Sequence, residues 1–208
     1  MSVARGTAPK IQVEGEMSER ESNAKRPLIG WGHAGAALIA LVAVGATVTP
    51  AAAQESKLND AQIAHIAVTA NAIDVEIAEL VGSRTSTESV QQFASTMIQD
   101  HTGVNEQAAA LAAKLGVTPE DNPVSQQLRS DADSVATALR GLRGSAFDQA
   151  YMEREVGYHA AVLSALDDAL IPGTTNAELR QLLVAVRPAI VAHLEHAREL
   201  HASLTAAE

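Results

Sequence analysis

Three histidines and three acids in this 208-residue chain stand at or beside positions where helical periodicity calls for apolar side chains. Glu155 and His159 lie one turn apart within Ala146–Leu170, a stretch that reads as one amphipathic helix. At about 100° per residue, Phe147, Tyr151, Val162, Leu166 and Ala169 share their stripe. His101 falls in a second stripe, among Phe93, Met97, Val104, Ala108, Leu111 and Leu115, with Asp100 on its edge. His193 falls in a third, among Leu179, Leu182, Leu183, Val186, Ile190, Leu194 and Ala197. Asp74 and Glu76 lie on opposite shoulders of a fourth, formed by Ile63, Ile66, Ile73, Ile77 and Leu80.

A carboxylate or imidazole directed into apolar packing needs a partner. Neutral imidazole with carboxylate is a donor set for a divalent zinc, iron, manganese or copper ion. His101, His159, His193, Glu155 and either Asp74 or Glu76 are therefore candidate metal ligands, one or two from each long helix. Asp100 is placed to orient a ligating histidine from behind. The same residues support a second reading, a buried hydrogen-bond network that fixes helix register. In that network His101 pairs with Asp74, and His159 pairs with Glu155 at i,i+4.

Other candidates are weaker. His65, His196 and His201 lie off the stripes or near the chain end and read as solvated. Asp167 and Asp168 read as surface acids. Met97 and Met152 sit near the candidate ligands, and thioether ligation would indicate copper(I), but core filling is the commoner use of methionine. The absence of cysteine excludes disulfides, thiolate metal sites and cysteine nucleophiles. No serine lies in a nucleophile elbow and no glycines form a phosphate loop, so no complete catalytic constellation is present. A formal charge of −10 and the lack of a basic patch with interleaved aromatics argue against nucleic acid as a partner.

The elements that must position these residues are helices. Hydrophobic residues make up 47% of the chain and aromatics only 2%, which favours helices packed closely through small side chains. The periodicity predicts helices over Leu58–Val81, Thr85–Leu115, Ser125–Leu142, Ala146–Leu170 and about Asn176–Ala202, with Pro188 expected to kink or break the last. Four long helices with a long, partly helical connection between the second and third is the ferritin-like four-helix pattern, an all-α fold. A ferritin-type di-iron centre wants Glu-x-x-His on two helices and a Glu on each of the others. Here Ile98 and Ile190 stand three residues before His101 and His193, and Glu155 precedes His159 by four. A mononuclear site is the better metal reading.

Ahead of the bundle, residues 1–27 are polar and without periodicity and read as disordered, with Met17 a second possible start. Lys25 and Arg26 precede an apolar run from Trp31 to Val48, followed by Thr49, Pro50 and Ala51 to Ala53. Basic flank, apolar stretch and small residues form a secretory signal pattern with a cut expected after Ala53. The exported domain is then 54–208, periplasmic or envelope-associated, with no membrane span of its own. The alternative is an uncleaved anchor over residues 31–48, which falls short of the roughly 20 apolar residues that cross a bilayer comfortably.

Several stretches carry a family resemblance: DHTGVNEQA at Asp100–Ala108, KLGVTPEDNPVSQQL at Lys114–Leu128, FDQAYMEREVGYHAAVL at Phe147–Leu163, LIPGTTNAELRQLL at Leu170–Leu183 and VRPAIVAHLEHA at Val186–Ala197. Together they resemble a bacterial envelope family of unknown function, whose members are described as predicted outer-membrane proteins with a ferritin-like domain. The resemblance spans about Leu58 to Leu204. It implies an envelope-associated helical bundle and no established enzyme activity. The chain lacks the alternating strands of an outer-membrane barrel. Function divides between a metal- or small-ligand-binding bundle and a structural or protein-interaction module of the envelope.

Overall fold

A computed structural model describes residues 57–206. The leader, its cut after Ala53 and the apolar run at 31–48 lie outside the described residues. Five helices account for most of what is described: α1 (Asp60–Ala78), α2 (Glu88–Leu115), α3 (Pro123–Arg140), α4 (Gly144–Ala165) and α5 (Ala177–Ala206). There is no strand among the described residues. α1 packs along α2 and α4 packs along α5, while α3 lies against α1 and touches α4. No helix among the described residues is long and apolar enough to cross a membrane.

The helix ends follow from local chemistry. Asn59 caps α1 in a reciprocal box: its side chain accepts from the Gln62 backbone N–H at 2.8 Å, and the Gln62 side chain accepts from the Asn59 N–H at 3.1 Å. α2 ends at Gly116, whose φ of 63° is left-handed and strains any residue with a Cβ. Asn122 caps α3 through bonds to the Val124 and Ser125 N–H groups, with Pro123 at the first helical position. α4 runs into a wider π turn at Leu166–Leu170 and a last turn at Ile171–Gly173, where Pro172 has no N–H to continue the ladder. α5 continues through Pro188 without a break. Pro188 faces solvent, where water can satisfy the carbonyl left without a donor.

The buried apolar residues form two clusters. One gathers Ile73, Ile77, Phe93, Met97, Phe147, Tyr151 and Met152, capped by Leu139 of α3. The other gathers Ile63, Ile66, Leu166, Leu170, Leu179, Leu183 and Ile190. Buried polar residues meet at one level of the bundle: Asp74 on α1, within the first cluster, and His101 on α2, Arg154, Glu155 and His159 on α4, and His193 on α5, between the clusters.

Candidate metal centre

Five of the six ligands expected from the sequence converge in this layer. Asp74, Glu155 and His159 are fully buried, and His101 and His193 nearly so. Glu76 does not join them. It is exposed and pairs with Arg129 of α3 at 2.7 Å. Two residues along a helix is about 200° around it, so Asp74 and Glu76 cannot both face the interior. This resolves the choice between the two acids in favour of Asp74.

Each histidine has one nitrogen engaged by an oxygen acceptor. His101 Nδ1 lies 2.6 Å from Asn71 Oδ1. His159 Nδ1 lies 3.0 Å from the Glu155 backbone carbonyl. His193 Nε2 lies 2.9 Å from Asp100 Oδ2, the orienting role expected of that acid. These partners assign a proton to the engaged nitrogens and leave lone pairs on His101 Nε2, His159 Nε2 and His193 Nδ1. All three of those nitrogens are buried without a hydrogen-bond partner, as are Asp74 Oδ2 and Glu155 Oε2. Asp74 Oδ2 stands 3.1 Å from His101 Nε2 and 3.9 Å from His159 Nε2. Acceptors facing each other at such distances repel unless a proton or a cation lies between them.

The rings are close enough to share an ion. Their centroids are 5.3–5.6 Å apart, and a donor atom from each of His101, His159 and His193 falls within 4.8 Å of the others. Asp74, Glu155 and His159 meet the same condition, so His159 belongs to both groups. Burial disfavours the imidazolium at His159 and His193, lowering the first to about 4 despite the nearby Asp74. Both rings are then neutral at pH 7, the state a metal ligand requires.

Arg154 supplies the layer's fixed cation. Its guanidinium donates to Asp74 Oδ1 and, at 2.6 Å, to Glu155 Oε1, and its plane lies over the Tyr158 ring at 3.9 Å from the centroid. The Tyr158 hydroxyl donates to the Ala70 carbonyl at 2.8 Å. Burial pushes the Asp74 carboxyl up, but Arg154 and the histidines outweigh it and hold the group well below the usual carboxylate range. At Glu155 burial dominates, opposed by Arg154 and reinforced by Asp74, and raises the carboxyl to about 8. One guanidinium thus serves both acids, with Glu155 keeping its proton at pH 7. The buried acceptors left open are Asp74 Oδ2 and three imidazole nitrogens, donors of the kind that hold a divalent cation.

A family model matches residues 46–200, three quarters of the chain. The chain belongs to the family described as Domain of unknown function (DUF4142). No curated protein and no solved structure matches it.

Sequence reasoning about this DUF4142 domain missed Arg154 and Asn71. Arginine is by default a surface residue, and Arg154 sits beside Glu155 rather than on the centre of the stripe. The signal for it was electrostatic: two acids on inward faces demand a buried cation. Asn71 precedes Asp74 by three residues and so shares its face. His65 was expected in solvent; it is half-buried and bonded to Ser125 Oγ at 2.9 Å. His196 is exposed, with its ring edge-on to Phe93.

Proposed function

We propose that this domain binds a divalent transition metal through His101, His159, His193 and Asp74, with Glu155 adjoining. The observation that carries the reading is the set of buried, partnerless lone pairs on three imidazoles whose other nitrogens are each held by an oxygen. Asn71, the Glu155 carbonyl and Asp100 are the groups that fix ring orientation. Arg154 offsets one carboxylate charge. The donor set favours zinc, iron or copper over calcium or magnesium, which prefer oxygen. The helical pairing and the long α3-containing crossover support a ferritin-like arrangement, without the carboxylate bridges of a di-iron oxidase. The leader pattern supports export to the periplasm or envelope.

The test uses the chain purified without a histidine tag. Metal content is measured by elemental analysis and thermal stability is followed on addition of zinc, iron(II) or copper. One metal per chain and a raised Tm are expected, with the Tm shift lost in His159→Ala. A chain that stays metal-free and whose Tm no metal moves refutes the reading. Export is tested by sequencing the N-terminus of the mature protein from a periplasmic fraction, which should begin at Gln54.

One observation favours a second use of the layer. Arg154 bonds both acids from within α4, so the network can fix the register of α1 against α4 with no ion present, His101 then carrying the proton that Asp74 accepts.

A further inference from the structure

The ligands of the metal centre differ in how far they stand from solvent. Asp74 and His159 are fully buried and His101 nearly so, and a hydrated ion reaches none of them directly. The rings differ also in what holds each from behind. His101 is held by Asn71, neutral and half-buried, and His159 by a carbonyl of its own helix. His193 is held by Asp100, whose side chain is 44% exposed against 8% for the ring. Among the described residues, Asp100 is the one charged, solvent-facing group bonded to a candidate ligand. Its bond crosses from α2 to α5, which meet less extensively than α1 meets α2 or α4 meets α5.

The layer also adjoins a cleft of about 690 Å³, to whose wall all four long helices contribute. That wall is mainly alanine and branched aliphatic residues, including Ala108, Leu111, Val162 and Leu183. Its one acid, Asp60, is occupied by the Thr175 and Asn176 N–H groups. A hydrated divalent cation would shed water along this wall without gaining a counter-charge. An exposed carboxylate does the opposite and concentrates cations at its surface. The imidazole bonded to it keeps a free nitrogen turned inward, since His193 Nδ1 is buried without a partner.

We propose that Asp100 and His193 form the entry gate of the metal centre. The exposed carboxylate captures a divalent cation, and the His193 ring hands it inward. For this the ring turns outward about its Cα–Cβ bond, breaking the hydrogen bond that Nε2–H donates to Asp100. Nδ1 takes the ion at the surface. The ring then returns, with Nε2–H again on Asp100 and Nδ1 facing the other two imidazoles. No proton changes hands, because the ring stays neutral throughout. Asp100 is a positioning residue that also sets the rate of loading. The proposal rests on the metal reading, and its test separates the two.

The full-length chain, freed of metal, is mixed with zinc in a stopped-flow instrument, and uptake is read from a zinc indicator. The association rate comes from the dependence on zinc concentration, and the dissociation rate from release into excess EDTA. Asp100→Asn removes the charge and keeps an oxygen to accept from His193 Nε2–H. At about 0.01 M ionic strength it should slow association about fivefold. That deficit should shrink at about 1 M, where a charge acts over only about 3 Å. Thr96→Lys sets a positive charge one turn from Asp100, leaves the bond to His193 in place, and should slow association likewise. Glu106→Lys, farther along α2, should slow it far less. Ala108→Trp plugs the cleft and should leave association unchanged with the helical circular dichroism retained. The proposal is overturned if Asp100→Asn and Thr96→Lys load at the parental rate, or if Glu106→Lys slows loading as much as Thr96→Lys. It is equally overturned if a folded Ala108→Trp slows loading. A change in dissociation alone overturns it too, because orientation of His193 accounts for that. If Asp100→Asn holds no zinc, Thr96→Lys decides. Absence of uptake by the parent is a different failure, that of the metal reading itself.

Discussion

The two ends of the bundle, on either side of the polar layer, are built from similar sequence patterns and packed differently. At the end where Leu139 packs, Phe93, Phe147, Tyr151, Met97 and Met152 are fully buried. Phe147 stacks on Tyr151 at 5.8 Å, and Phe93 meets Tyr151 edge-on at 6.2 Å. At the other end, the same stripes continue as Val104, Ala108, Leu111, Val162 and Val186, and all of these are only half-buried around the cleft. The difference teaches that periodicity chooses the inward face of a helix, whereas side-chain volume decides whether the space inside is filled. Three of the four phenylalanines and tyrosines occupy one end, and alanine supplies the other. The polar layer sits where a dense core meets an underfilled one, and its residues are themselves buried.

The largest effect should come from the layer that joins the ends. Arg154→Met leaves Asp74 and Glu155 buried without their cation and should cost about 3–5 kcal/mol in urea unfolding with EDTA present. Replacing all three by apolar residues of similar size should recover most of that loss, because the desolvation cost disappears with the charges. If Arg154→Met alone is harmless, the layer is wetter than its burial indicates.

Next in size is the direct comparison of the ends. Met97→Ala should cost about 2–5 kcal/mol, the value for an aliphatic truncation in a filled core. Leu111→Ala should cost below about 1 kcal/mol, since its side chain already borders open space. Denaturant midpoints of the two variants measured side by side check this. Equal costs would show the cleft to be closed and packed in solution.

The contrast bears on what the sequence could show. Each long helix, its inward face and its stop at Gly116 or Pro172 follow from apolar period and terminal residues, all of them local signals. The level of the site was also legible, because His101, His159 and His193 interrupt those stripes. The choice of Asp74 over Glu76 was not, because the shoulders of a stripe differ only in which neighbour they face. Arg154 was invisible for a related reason: its partner Asp74 lies on another helix, 80 residues away, and no local pattern encodes that pairing. The cleft was invisible because a stripe of alanine and valine reads the same whether or not a second helix closes over it.

A smaller effect, of opposite sign, should come from filling the underpacked end. Ala112→Leu places extra carbon in the cleft and should stabilise the domain by about 0.5–2 kcal/mol, the range for cavity-filling changes. The matched change at the aromatic end, Ala94→Leu, should destabilise it by about 1–3 kcal/mol through overpacking, since Ala94 is buried among Phe93 and Met97. Thermal melts of the pair test the comparison with both signs, and stabilisation by Ala94→Leu would end it.

The smallest effect concerns how the underfilled end stays shut at its tip. There α1 is tied to the start of α5 by Asp60, which accepts from the Thr175 N–H at 2.7 Å and the Asn176 N–H at 2.9 Å. Slight burial pushes the Asp60 carboxyl up, but the bonds from Thr175 and Asn176 and the nearby Arg180 outweigh it and hold the group below its ordinary value. A carboxyl lowered on folding contributes stability above its unfolded pKa of about 3.9 and loses it as pH falls through the folded value. Acid should therefore loosen this tip while the aromatic end, held by apolar packing, keeps its protection. Amide hydrogen exchange at about pH 3, compared with pH 6 after correction for intrinsic rates, should show protection lost first around Asp60 and Asn176 and retained around Phe93 and Tyr151. In Asp60→Asn that early loss should disappear, because the tie no longer titrates. Uniform loss along the bundle would mean that the two ends open as one unit and that the cleft does not weaken its half of the fold.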